Sequence, residues 1–163
     1  MSEMEKLAAK MEQQIIEEKL AAELKEALIK EPIHKWMGAL MRLFDDIQFW
    51  LQPLAKKGLV EFNRGFVDID EDVPGGSSIG YKGPILQMGI NRRAACIRTQ
   101  GLYTKGYHGT VEFMAQSKQY LIFRLSDSDT QWFIRNRNED SSNGVPLNED
   151  SLAQAISHYL DPM

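Results

Sequence analysis

The alternation of apolar and polar residues is most regular between His108 and Arg137, where its period is close to two. Val111, Phe113 and Ala115 share one parity, followed by Leu121, Phe123 and Leu125, then Trp132 and Ile134. Turns are expected at Gln116 to Lys118 and at Asp127 to Asp129. This pattern predicts a β-meander that forms the core. Upstream, Leu59 to Asp70 predicts a strand or a hairpin bent at Arg64-Gly65. A Pro/Gly/Ser loop follows at Val73 to Ser78, then strands at Ile85 to Ile90, Ala94 to Gln100 and Gly101 to Thr104.

Outside residues 59–137 the period is helical. Residues 1–31 predict one long helix rich in Ala, Glu, Lys, Leu and Gln, with eight glutamates against five lysines. Its apolar positions form two stripes instead of one: Met4, Leu7, Ala8, Met11 and Ile15 on one side, and Ile16, Leu20, Leu24, Ala27 and Leu28 nearly opposite. A strict heptad seam is therefore excluded. Two separated apolar faces suit two neighbours: either the helix is solvated with its second half docked on its own domain, or its first half contacts another chain, which makes Leu7, Met11 and Ile15 candidate partner-binding residues.

Pro32 is expected to end that helix, because a proline pushes the residue before it out of the α region. A second helix is predicted at 33–52. Ile33, Trp36, Met37, Leu40, Leu43, Phe44, Ile47, Trp50, Leu51 and Leu54 lie within about 140° of arc on a helical wheel, with Phe49 outside the stripe. Pro53 and Gly58 close the segment, and an αα-hairpin is the expected local arrangement. A last helix at 149–160 has Asn148 as its N-cap and Leu147 with Leu152 as a staple. Leu152, Ala155, Ile156, Tyr159 and Leu160 form its buried face across the sheet.

The fold class is thus α+β: a helical arm (1–31) followed by an α+β domain (32–163) with an antiparallel sheet of about six strands and a C-terminal amphipathic helix. Strands closed by one such helix resemble, in architecture alone, the pleckstrin-homology-like barrels; an open sheet covered by helices fits equally well.

Composition is that of a globular chain: 163 residues, 43% hydrophobic and 26% charged, with a net charge of −4. A single cysteine, Cys96, suits a reducing compartment. With no apolar h-region in MSEMEKLAAKMEQQ and no apolar run of membrane-spanning length, a cytoplasmic protein is expected.

The motifs that suggest chemistry are incomplete. Gly75-Gly76-Ser77-Ser78-Ile79-Gly80-Tyr81-Lys82 approaches a P-loop, but Tyr81 stands where the lysine belongs. Asp68, Asp70 and Asp72 open like a calcium loop, and Val73, Pro74 and Ile79 then replace the required glycine, ligand and glutamate. Cys96, His34, His108 and His158 have no paired metal-ligand spacing. Ala94-Ala95-Cys96-Ile97 also marks the thiol as a small core residue and not a nucleophile with His108 as its base. No metal, cofactor or catalysis is expected.

Charge is more informative. No acid occurs between Val73 and Val111, where Lys82, Arg92, Arg93, Arg98 and Lys105 alternate with Tyr81, Tyr103, Tyr107 and His108. Glu139 to the end carries five acids and no Lys or Arg. Two functions follow as expectations. The first is a protein–protein interaction or assembly module, self-associating or docking a partner through its N-terminal helix. The alternative is binding of nucleic acid or another polyanion by the basic block. That block must converge to act, and adjacent Arg92 and Arg93 converge only in a turn, which Gly89 to Arg93 supplies. A sequence pI near 5.4 favours the first.

Overall fold

A computed structural model of the chain describes residues 2–127, 131–137 and 144–160. The elements in order are helix α1 (Glu3–Lys56), strands β1 (Val60–Val73), β2 (Ser77–Ile90), β3 (Arg93–Gly101), β4 (Thr110–Ala115), β5 (Lys118–Phe123), β6 (Phe133–Asn136) and β7 (Val145–Pro146), and helix α2 (Glu149–Leu160). The chain divides into two compact units, Met1–Lys35 and Trp36–Met163.

The expected break at Pro32 does not occur, so there is no αα-hairpin: α1 runs through both Pro32 and Pro53. An interior proline removes one hydrogen bond and crowds the carbonyl four residues back. Those carbonyls belong to Leu28 and Phe49, which are both exposed, so water can solvate them. The real stop is Gly58. It has φ +72°, its N–H donates to the Ala55 carbonyl at 3.0 Å, and the Leu59 N–H donates to the Leu54 carbonyl at 3.0 Å. This is a Schellman motif, which brings Leu54 and Leu59 together.

In the second unit, α1 buries Trp36, Leu40, Leu43, Phe44, Ile47 and Leu51, the stripe its periodicity predicts, and leaves Phe49 exposed. The sheet has seven antiparallel strands in sequence order and is open, so the barrel alternative is set aside. Register aligns Leu86, Ile97, Phe113 and Tyr120 in one row and Thr99, Val111, Ile122 and Ile134 in the next, all of them buried. Both helices cover this face. The Arg64 guanidinium, opposite Leu86, lies over the Phe44 ring of α1, and Tyr120 meets His158 of α2.

The other face is partly covered as well. Phe123 stacks on Phe133 and touches Tyr107 in the loop after β3, so β5 is buried on both sides. Two expectations fail here. Leu125 is exposed because β5 ends at Phe123, and residues after Gly101 form a loop instead of a strand. Gln116 (φ +55°) with Ser117 makes the expected turn. The turn expected at Asp127 to Asp129 lies outside the described residues apart from Asp127.

Of the two expectations for Leu59 to Asp70, the strand holds and the hairpin does not: β1 is one unbroken fourteen-residue strand, but the inward parity does switch at Arg64-Gly65. Val60, Phe62 and Arg64 face in before it, and Val67, Ile69, Glu71 and Val73 after it. The pairing of the neighbouring strand changes at the same level. Pro84 has no N–H to donate, and β2 pairs with β3 only over Ile85–Ile90. Gly83 leaves room for Thr99, which would sit 2.6 Å from an added Cβ, while Thr99 Oγ1 donates to the Pro84 carbonyl at 2.9 Å. Beyond this point β1 and β2 form a two-stranded ribbon, and it holds the stretch that resembled a P-loop.

α2 is capped as expected: the Ser151 N–H donates to Asn148 Oδ1 and the Asn148 N–H to Ser151 Oγ, both at 2.9 Å. Leu147 and Leu152 are buried.

Candidate functional site

The N-terminal unit is helical from Glu3 and exposes every large apolar side chain up to Leu28. Met4, Leu7, Met11, Ile15, Ile16, Leu20, Leu24 and Leu28 are each 50–76% accessible. The three candidate partner-binding residues stand at i, i+4 and i+8, one above the other on the same side of the helix. Ser2 caps the start, its Oγ accepting the Glu5 N–H at 3.1 Å. Exposed pairs run along the helix, such as Glu26 with Lys30 at 2.7 Å; that lysine holds the Glu26 carboxyl below its ordinary range.

The five residues of the basic block are dispersed. Lys82 lies on the outer side of the ribbon directly opposite Asp68. It is eight residues from Ile90, roughly 26 Å along an extended strand. Arg92 (φ +68°) and Asn91 (φ +50°) form the two-residue turn between β2 and β3, with the two positive φ values of a type I′ hairpin, and Arg93 opens β3. Lys105 is in the loop after β3. Arg98 is already paired, its Nε donating to Glu112 Oε2 at 3.0 Å. The turn therefore brings Arg92 and Arg93 together, and the other three stand apart.

Two basic groupings escape a linear reading. On the sheet face away from the helices, Ile85, Arg98, Glu112, Leu121 and Arg135 form one cross-strand row. The Glu112 carboxylate, about 10% exposed, accepts Arg98 on one oxygen and Arg137 Nη1 on the other at 2.9 Å. Arg135 Nε is buried with no hydrogen-bond partner among the described residues. Two guanidiniums thus hold one carboxylate, and Arg135 stands in the same cross-strand row with Leu121 between it and Glu112.

The second grouping flanks in sequence the residues of an apolar groove of about 390 Å³, lined chiefly by Leu54, Leu59, Val60, Ile90, Ile156 and Leu160. Lys56 and Lys57 precede Leu59, and Arg92 and Arg93 follow Asn91, which also lines the groove. Gly58 was the available signal, because a glycine just past a helix implies a hydrophobic contact between the residues around it.

A third cluster joins α1 to the ribbon. Trp36 Nε1 donates to Tyr81 Oη at 3.0 Å, Tyr81 donates to Glu71, and Glu71 also accepts the N–H groups of Leu102 (3.0 Å) and Tyr103 (2.9 Å). Burial, reinforced by the Glu71 carboxylate, pushes the Tyr81 hydroxyl far above the usual phenol range. Arg124 is buried between the Trp36 and Trp132 rings, 5.1 and 5.4 Å from their centroids, and its Nε donates to the His108 carbonyl at 3.0 Å. Gly109 makes room for Trp36: at φ +110°, an added Cβ would fall 2.2 Å from the indole. These polar groups satisfy one another and act as a clasp.

Cys96 is half-buried. Burial pushes its thiol up, Arg98 opposes this, and Glu112 adds to it. Its cross-strand partner is Met114, and His108 lies six residues before Met114, on the order of 20 Å along the chain. No hydrogen bond joins Cys96 to His108 among the described residues. Among the described residues no group of three His, Cys, Asp or Glu is placed to hold a metal, and no helix is long and apolar enough to cross a membrane. No protein-family model, no curated protein and no solved structure matches the chain.

Proposed function

We propose that this protein is a non-enzymatic interaction or assembly module that associates with another polypeptide through its N-terminal helix. The observation that carries this reading is the set of eight large apolar side chains left exposed along Glu3–Lys35. Exposed apolar residues occurring singly are ordinary on a protein surface, but a continuous double row along one element marks an interaction surface. Helices gain most of their stability from packing an apolar face, so an unaccompanied one is marginal in water. The single half-buried thiol suits a reducing cytoplasm.

Light scattering behind size exclusion tests this on the full chain over a wide concentration range. The expected result is a mass above the 18.6 kDa of one chain, returning to that value in the Leu7→Glu/Met11→Glu/Ile15→Glu variant. A wild-type monomer whose helix amides from 3 to 35 are nonetheless strongly protected from hydrogen exchange would overturn it, because the helix would then need no partner.

The polyanion alternative draws its support from Arg98 and Arg137, which share the single Glu112 carboxylate, and from Arg135 in the same cross-strand row, whose Nε has no partner among the described residues. It calls for low-salt binding of single-stranded nucleic acid that falls steeply with added salt and with Arg135→Glu.

A further inference from the structure

We propose that the groove flanked in sequence by Lys56, Lys57, Arg92 and Arg93 receives the N-terminal helix of a second copy of this chain, which lays Leu7, Met11 and Ile15 into it. This inference rests on the assembly reading above and names both the partner and its docking site.

The groove and the helix are complementary in three respects. The first is apolar shape. A groove of about 390 Å³ lies within the size range of binding pockets, and helix-in-groove recognition uses apolar anchors one turn apart. Leu7 to Ile15 spans about 12 Å at 1.5 Å per residue.

The second is charge. Residues 2–18 contain five glutamates (Glu3, Glu5, Glu12, Glu17 and Glu18) and two lysines (Lys6 and Lys10), giving a net charge of −3. Four cations stand within three residues in sequence of lining residues, and none of them is in an ion pair among the described residues. Glu61, the nearest described acid in sequence, is on the opposite face of β1 from Val60, and Asp161 lies outside the described residues. Glu18 follows Ile15 on the apolar side of the helix and Glu12 flanks it, so carboxylates lie beside the anchors that enter the groove.

The third is stoichiometry. Every copy carries one such helix and one groove, so reciprocal exchange between two copies closes with two-fold symmetry and leaves neither surface unfilled.

The test uses full-length protein throughout. Ala153→Glu, at an exposed position on the groove wall, and Arg92→Glu/Arg93→Glu, next to Asn91, should each weaken the dimer at least tenfold in sedimentation equilibrium. Near-UV circular dichroism should remain unchanged. Reversing the opposite charges with Glu12→Arg/Glu18→Arg should weaken the dimer on its own and restore it when combined with the arginine variant. In a Cys96→Ser background, Met11→Cys with Ala153→Cys should oxidise to a disulfide-linked species of twice the chain mass.

If Leu7→Glu/Met11→Glu dissociates the dimer while the groove and arginine variants leave it intact, the helix pairs with another helix. The assembly reading then survives and this inference fails. A Met11→Cys/Ala153→Cys disulfide found only within one chain overturns the inference too, and so does a wild-type chain that is monomeric at every concentration.

Discussion

One helix carries two kinds of surface. From Trp36 to Lys56, α1 places its large apolar residues in a single arc and buries six of them against the sheet. From Glu3 to Lys35 it carries equally apolar residue types in two opposed stripes and leaves eight exposed. Residue type does not separate the halves, since Leu and Ile serve in both. The angular spread of the stripe does. One sheet face can cover an arc of about 140°, but it cannot reach two sides of the same helix. A narrow stripe is therefore satisfied by the chain's own sheet, whereas a double stripe is left exposed.

The largest test of this contrast pairs Phe44→Ala with Leu20→Ala. Phe44 is fully buried and lies under the Arg64 guanidinium, 5.9 Å from its ring centroid. Truncating it should cost about 3–5 kcal/mol in urea denaturation, from lost transfer energy plus the cavity left behind. Leu20→Ala should change the same transition by less than about 0.5 kcal/mol, as expected of a surface site. A comparable loss at both positions would mean that the N-terminal half is packed in the folded monomer.

An intermediate effect is expected where the buried half begins. Tyr81→Phe deprives Trp36 Nε1 of its acceptor and Glu71 of a donor, a loss of about 1–3 kcal/mol for partly buried groups. The pH dependence gives a sharper signature. The folded state raises the Tyr81 hydroxyl above its ordinary value of 10.0, so the unfolded chain releases that proton first. The associated stability is complete below pH 10 and declines as the pH rises above it. Tyr103 and Tyr159 are raised by burial and contribute with the same sign. Denaturation midpoints between pH 9 and 11 should fall less steeply in Tyr81→Phe than in wild type, and equal slopes would contradict the clasp.

Much of this architecture was legible wherever side-chain periodicity and local capping agree. The α1 stripe from Trp36 to Leu51, the Asn148 cap, the turn at Asn91-Arg92 and the meander core all follow from residues close in sequence. What escaped depends on partners distant in sequence. Pro32 and Pro53 read as helix ends because the local rule is strong. Whether the lost hydrogen bond is tolerated depends on exposure of the residues four back: Phe49 lies outside its apolar stripe, but Leu28 belongs to one, and the sequence does not show that this stripe is left uncovered. The parity switch at Gly65 falls where β2 stops pairing with β3, at Pro84 and Gly83 on the paired strand. The arginines on Glu112 come from β3 and from the turn after β6, so only register unites them. The groove likewise joins the end of α1, the roots of β1 and β2, and α2.

The smallest effect is expected at Pro32, and it decides whether the two halves of α1 act as one cooperative element. Pro32→Ala restores an N–H that can donate to the Leu28 carbonyl and removes the ring from that carbonyl's path. An interior helical proline costs about 3 kcal/mol, so the helix around residues 28–35 should gain protection against hydrogen exchange, and far-UV circular dichroism should show more helix. The urea midpoint of the sheet unit should stay within about 0.5 kcal/mol of wild type, because Leu28 and its neighbours on the exposed stripes contribute nothing to the core beyond Trp36. A midpoint that rises together with the exchange protection would show that order passes along the helix through Pro32. The exposed stripes would then be held in place by the folded sheet unit, already arranged for a partner before it arrives. If protection rises while the midpoint stays fixed, Pro32 divides the helix energetically although not geometrically, and the N-terminal half gains its order when it docks.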